Sequence, residues 1–172
     1  MSSPDEPNLA TPGSGRDKPY PRFCPACGKV TMQLASIPYD ARVKHDGRLH
    51  TFKIPALQVD KCEECGEILF GNRSNDQVSQ ALRAHLKLLS PEQIRQGLRA
   101  LGLKQKELGE RIGVAPETIS RWVGGEYIQS RPMDNLMRLF FAFDNVRAAL
   151  AASTPSDTLG VIGSPEPAAV ER

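Results

Sequence analysis

Residues 104–125, KQKELGERIGVAPETISRWVGG, decide the C-terminal half of this 172-residue chain. Leu108 and Ile112 fall one helical turn apart, which predicts a short helix over about 105–112 with both side chains inward. Gly109 inside it costs ~1 kcal/mol relative to Ala, so its presence predicts a close approach that only a minimal side chain permits. Gly113 then suits a tight turn, and Pro116 suits the first position of a new helix. In that next helix Ile119, Trp122 and Val123 share one arc, and Glu117, Thr118, Ser120 and Arg121 share the other. The first arc is expected to pack, and the second to stay free for a partner.

The flanks extend the helical pattern. Ser90, Pro91 and Gln93 form an N-terminal capping box, Ile94, Leu98 and Leu101 follow on one face, and Gly102 ends that helix. A further helix from about Pro132 is expected to bury Leu136, Leu139, Phe140 and Phe143. Upstream, Ser74 and Gln77 have the spacing of a second capping box. Val78, Leu82, Leu86 and Leu89 then recur at helical spacing, which predicts a connecting helix over 72–89.

Before Gly71 the period changes. Segments 31–43 (TMQLASIPYDARV), 48–54 (RLHTFKI) and 56–62 (ALQVDKC) read as strands, with an Asp46-Gly47 hairpin turn between the first two. Residues 1–22 and 151–172 are rich in Pro, Gly and Ser with few large hydrophobes, and are expected to be an unstructured arm and tail. The expected fold is therefore α+β. A small β module occupies 23–71, the connecting helix 72–89, and an all-α domain 90–150.

The chain has four cysteines, in CPACG at 24–28 and CEECG at 62–66. A lone C-x-x-C could be a redox dithiol, which normally opens a helix in a βαβ setting. Here Cys24 follows a Pro-rich arm, and Cys62 and Cys65 repeat the spacing of Cys24 and Cys27. Two such turns supply four thiolates at the corners of a tetrahedron, a site suited to one structural zinc ion. Four sulfurs fill the coordination sphere and leave no open position for catalysis. His45, His50 and His85 are then read as surface or hairpin residues rather than ligands.

The formal net charge is +2, a modest excess that permits nucleic-acid binding without requiring it. No apolar run approaches the ~18 residues of a membrane span, and the N-terminus lacks a basic region followed by an apolar one, so a cytoplasmic protein is expected. The chain carries no phosphate loop, no G-x-S-x-G, no H-E-x-x-H and no open metal position, and it is read as a non-enzyme.

Residues 104–125 resemble the helix-turn-helix pattern of the Cro and phage-repressor (XRE) class. The resemblance implies about five helices, with 116–123 in the major groove of double-stranded DNA. It matches Gln105 to a phosphate or base contact, Glu117 and Arg121 to base-edge readers, and Thr118 and Ser120 to phosphate or base contacts. Lys104 and Lys106 are expected to add phosphate contacts. Ala115 departs from the usual capping Ser or Thr, at a cost of ~1 kcal/mol, and Val123 departs from a frequent Glu. Glu117 could read a cytosine or pair with Arg121.

The order of modules, the strand pattern of 36–67 and the linking helix resemble MqsA-type antitoxins and their YgiT-like zinc-finger relatives. That resemblance implies a nucleoid-associated homodimer that represses its own operon and binds a ribonuclease-type toxin through the zinc module. The alternative is a solitary zinc-stabilised repressor with no toxin.

Overall fold

The computed structural model describes residues 19–152. A four-stranded antiparallel sheet comes first, in the order β1 (Arg22–Phe23), β2 (Val30–His45), β3 (Arg48–Cys62) and β4 (Ile68–Leu69). Six helices follow: α1 (Asn72–Leu86), α2 (Pro91–Ala100), α3 (Gln105–Ile112), α4 (Pro116–Gly124), α5 (Arg131–Ala142) and α6 (Asp144–Ala152). The α+β expectation holds, with the change of period near Gly71 separating sheet from helices.

The sheet is in essence one long hairpin. Asp46 and Gly47 both take positive φ, 49° and 74°, the geometry of the expected two-residue turn. Pairing runs from His45↔Arg48 to Met32↔Cys62, with one shift in register where Ile37↔Leu57 gives way to Tyr39↔Ile54. The single residue Pro38 there faces Pro55 and Ala56. Proline has no N–H to give to the ladder, so two opposed prolines favour a bulge at this point. One face of the hairpin buries Ala41, Ile54, Leu57 and Val59, and Val78 and Ala81 of α1 pack against them.

Helix α1 is fastened to β3 by polar groups that the sequence assigns to a cap. Ser74 Oγ donates to the Gln58 carbonyl at 2.6 Å, and Gln77 Oε1 accepts from the Gln58 N–H at 2.7 Å. Ser74 and Gln77 are thus a clamp on the sheet. The helix starts at Gly71, whose N–H donates to Ser74 Oγ at 3.3 Å. It ends at Leu86 rather than 89, because Lys87 adopts a left-handed conformation with φ 53°. Leu89, freed from the helix, joins the core of the helical domain.

That core gathers Ile94 and Leu98 of α2, Leu108 and Ile112 of α3, Ile119, Trp122 and Val123 of α4, and Met137 and Phe140 of α5. The Ser90–Gln93 capping box forms in both directions, at 3.1 and 2.8 Å. On α5 the expected inward face is corrected. Leu139 and Phe143 are 47% and 51% exposed, and Leu136 is half-buried. Phe140 is buried as expected, and Met137, not singled out by the sequence, buries beside it on a face shared with the fully buried Asp134.

Asp134 explains the rotation. Its carboxylate accepts from the Leu89 N–H at 2.6 Å, from Gln129 Nε2 at 3.0 Å and from Arg138 Nε at 2.7 Å. Gln129 Nε2 also donates to the Leu89 carbonyl at 2.7 Å. This buried cluster pins the segment leaving α1 to α5, and a charge held this way turns the helix toward its partners.

Both ends of the described chain extend further than expected. Tyr20 and Arg22, placed by the sequence in the unstructured arm, both bond to Asp60 on β3, and the Arg22 pair measures 3.1 Å. Residues 151 and 152, placed in the tail, complete α6. The remainder of the expected arm and tail lies outside the described residues.

Candidate metal centre and nucleic-acid interface

The two C-x-x-C-G turns fold alike. In the first, the Gly28 N–H donates to the Cys24 carbonyl at 2.9 Å and the Cys24 N–H to the Lys29 carbonyl at 2.7 Å. In the second, Gly66 and Cys62 repeat both bonds, at 3.1 and 2.8 Å, the latter to Glu67. Gly28 and Gly66 sit at φ 73° and 76°, a conformation that strains any residue with a Cβ. The β2–β3 pairing brings the turns together, since Met32 stands opposite Cys62.

All four sulfurs lie within 4.8 Å of one another. Cys24 Sγ is 3.6 Å from Cys65 Sγ, and Cys27 Sγ is 3.7 Å from Cys62 Sγ. These separations are too long for a disulfide, whose sulfurs lie ~2.05 Å apart. A tetrahedron with Zn–S bonds of ~2.3 Å has edges of ~3.8 Å, and the two shortest sulfur pairs match it, so the cysteines fit zinc. Zinc is the cofactor that this site defines. Cys24 and Cys62 are buried, Cys27 is half-buried and Cys65 is exposed.

The surroundings prepare the site for a cation. Thr31 Oγ1 lies 3.1 Å from Cys62 Sγ, and its hydroxyl chiefly holds the Cys62 pKa down to about 6. At Cys65 the backbone N–H of Glu67 lowers the pKa, but burial and hydrogen bonds to the other three sulfurs prevail and push it up to about 12. Cys62 is thus biased toward the thiolate and Cys65 toward the thiol. A divalent ion removes that difference. Among the described residues the cysteines alone form such a cluster, and no histidine joins it.

The second candidate site is the helix pair α3–α4. A Cβ on Gly109 would come within 2.5 Å of the Val114 carbonyl, which is the close approach that the glycine predicts. Gly113 takes φ 70° and lets the chain turn directly into α4. Ala115 contributes no side-chain cap to α4, as its identity predicts. Ile119, Trp122 and Val123 are buried, while Glu117, Ser120 and Arg121 are exposed and Thr118 is half-buried.

The remaining residues expected to face DNA sit at the start of α3. Lys104 is exposed, Gln105 is half-buried and Lys106 is exposed, with Lys106 Nζ 3.8 Å from Glu110. All three border a groove of about 550 Å³ that Arg95 and Arg99 share. Arg121 does not pair with Glu117. Its guanidinium carbon instead lies 5.1 Å from the centre of the Tyr127 ring.

Sequence reasoning missed three residues that shape this region: Asp134, Arg83 and Tyr127. Only Asp134 carried a signal, its spacing of four from Arg138. Arg83 is 4% exposed and donates through Nη2 to the carbonyls of Gly125 and Tyr127, at 3.1 and 2.9 Å. Burial draws its pKa below the usual value, opposed by Asp76.

A sheet closed by a four-sulfur metal site, joined by one helix to a helix-turn-helix bundle, defines a two-module, zinc-stabilised class of protein. Within that class, the family model described as the antitoxin component of a bacterial toxin-antitoxin system, MqsA, matches residues 22–148. The chain belongs to the MqsA antitoxin family and is an antitoxin-type regulator. No curated protein matches it. Among the described residues, no helix is long and apolar enough to cross a membrane.

Proposed function

We propose that this regulator binds double-stranded DNA through α3 and α4 as an XRE-type domain, and binds a ribonuclease-type toxin through its zinc module. The working division is a zinc module over 23–71, a connector that ends at Leu86, and a DNA-binding domain over 90–150. The observation that carries the reading is the two-sided character of α4. Its apolar arc is consumed by the core, and its polar arc of Glu117, Ser120 and Arg121 is exposed.

In this reading Arg121 and Glu117 contact base edges, Gln105, Thr118 and Ser120 contact phosphate or base, and Lys104 and Lys106 contact phosphate. Two chains dimerise on a palindromic operator, with half-sites about one turn, ~34 Å, apart or a multiple of it. The target is the chain's own operon, so the protein acts in the cytoplasm at the nucleoid and performs no catalysis. The family supports a toxin partner.

Gel shifts with DNA from upstream of the protein's own reading frame test the DNA part. Arg121→Ala is expected to reduce binding to the level of scrambled DNA. Lys104→Ala should weaken both by a similar factor and lower the salt dependence by about one phosphate contact. Equal shifts by wild type and Arg121→Ala would remove α4 from the readout. Pull-down of co-expressed neighbouring gene products by the full-length, zinc-loaded chain tests the partner. Failure to retain any would leave a solitary zinc-stabilised repressor.

A further inference from the structure

Arg121 is held by a device built from outside its own helix. Gly125 closes α4 in a left-handed conformation, and the chain folds back so that the Tyr127 N–H donates to the Arg121 carbonyl at 3.3 Å. The returning segment carries the Tyr127 ring beneath the Arg121 guanidinium, 5.1 Å from its carbon. Its carbonyls at Gly125 and Tyr127 are gripped by Arg83 of α1. Arg121 and Tyr127 both border a cleft of about 430 Å³ that Val43, Lys44 and His45 of the hairpin and the first turns of α1 complete.

An arginine side chain has four rotatable bonds, and fixing them at the moment of binding costs side-chain entropy. An aromatic face holds a guanidinium by its quadrupole while leaving the N–H edges free to donate. The ring therefore restrains Arg121 without consuming its donors. A carboxylate would occupy them, and Glu126 and Asp76 line the same cleft without pairing with Arg121. Arg83 in turn fixes the backbone from which the ring projects.

We propose that Tyr127 is a specificity-determining positioning residue for Arg121, and that Arg83 of the connecting helix holds Tyr127 in place. This rests on the reading that α4 contacts base edges. The connector is then more than a spacer, because it presets the arginine that reads the DNA.

The test uses the full-length, zinc-loaded protein and a duplex enriched from a randomised library. Affinity is measured by fluorescence anisotropy for that duplex, its single-base variants and a scrambled duplex. Tyr127→Phe keeps the ring and should discriminate like wild type. Tyr127→Ala should lower the ratio of selected to scrambled affinity about 2- to 5-fold, concentrated at one base pair, with an unchanged salt slope. Tyr127 is 51% exposed, so its replacement leaves the core intact. Arg83→Met should reproduce the same loss, with its fold checked by circular dichroism.

Several results would overturn the idea. One is full discrimination by Tyr127→Ala when Arg121→Ala has lost it, which leaves the base-reading role of α4 standing. Another is an equal loss on selected and scrambled duplexes, and a third is loss in Tyr127→Phe. Full discrimination by Arg121→Ala itself would sink both this inference and the reading beneath it.

Discussion

At Cys65 and Cys62 the chemistry of the metal site becomes measurable. The Cys65 thiol, pushed up to about 12 without metal, must give up its proton when zinc binds at any ordinary pH. Cys62, held down to about 6, is already a thiolate at pH 7. Zinc uptake therefore releases protons, and affinity should fall as pH falls, more steeply below about 6, where Cys62 also protonates. Competition titration with a chromophoric chelator between pH 5.5 and 8 would show this, and a flat profile would contradict it. The four ligands were legible because sulfur spacing encodes coordination directly. Tyr127 and Arg83 were not legible, because nothing local to either residue reveals that the fold brings one beneath Arg121 and the other behind it.

Among the elements, α3 and α4 followed their sequence closely and α5 did not. The difference is physical. Leu108, Ile112, Ile119 and Trp122 are set by period alone, whereas the face of α5 is turned by the buried Asp134, which accepts from Leu89 and Gln129 outside the helix as well as from Arg138 within it. Asp134→Ala would leave the Leu89 N–H and Arg138 Nε without their acceptor, and should destabilise the helical domain by about 2–4 kcal/mol. Urea denaturation checks this, and a midpoint unchanged from wild type would show that the cluster contributes nothing. Gly109→Ala meets the Val114 carbonyl, a backbone atom that cannot step aside. The α3–α4 turn should open, with a loss of thermal stability where replacing a helical glycine by alanine is normally a gain. A Gly109→Ala variant as stable as wild type would show that the turn is looser than described. The connecting helix shows the same lesson in small. Ser74 and Gln77, expected to form its capping box, lie inside the helix, whose N-cap is Gly71, and bond to Gln58 of the sheet.

For the molecule as a whole, the helical domain has its own core, whereas the sheet leans on the metal site. The sheet's own core is small, a few residues beneath α1 and a few around the sulfurs. Removing zinc should therefore melt the sheet first, since metal binding supplies folding free energy to such modules. Far-UV circular dichroism after complete chelation should show loss of strand signal with the helices largely kept. The division into a β module and a helical module was legible because a period of two gives way to a period of three to four near Gly71. The docking between them was not, because it depends on single long-range contacts such as the Arg131 N–H donating to Asp46 at 2.7 Å. The most direct test of the central claim is native mass spectrometry of the full-length chain with DNA from upstream of its own reading frame. Two chains, each carrying one zinc ion, on one duplex is the predicted species. A chain that carries no zinc, or that binds this duplex no better than a scrambled one, would contradict the account.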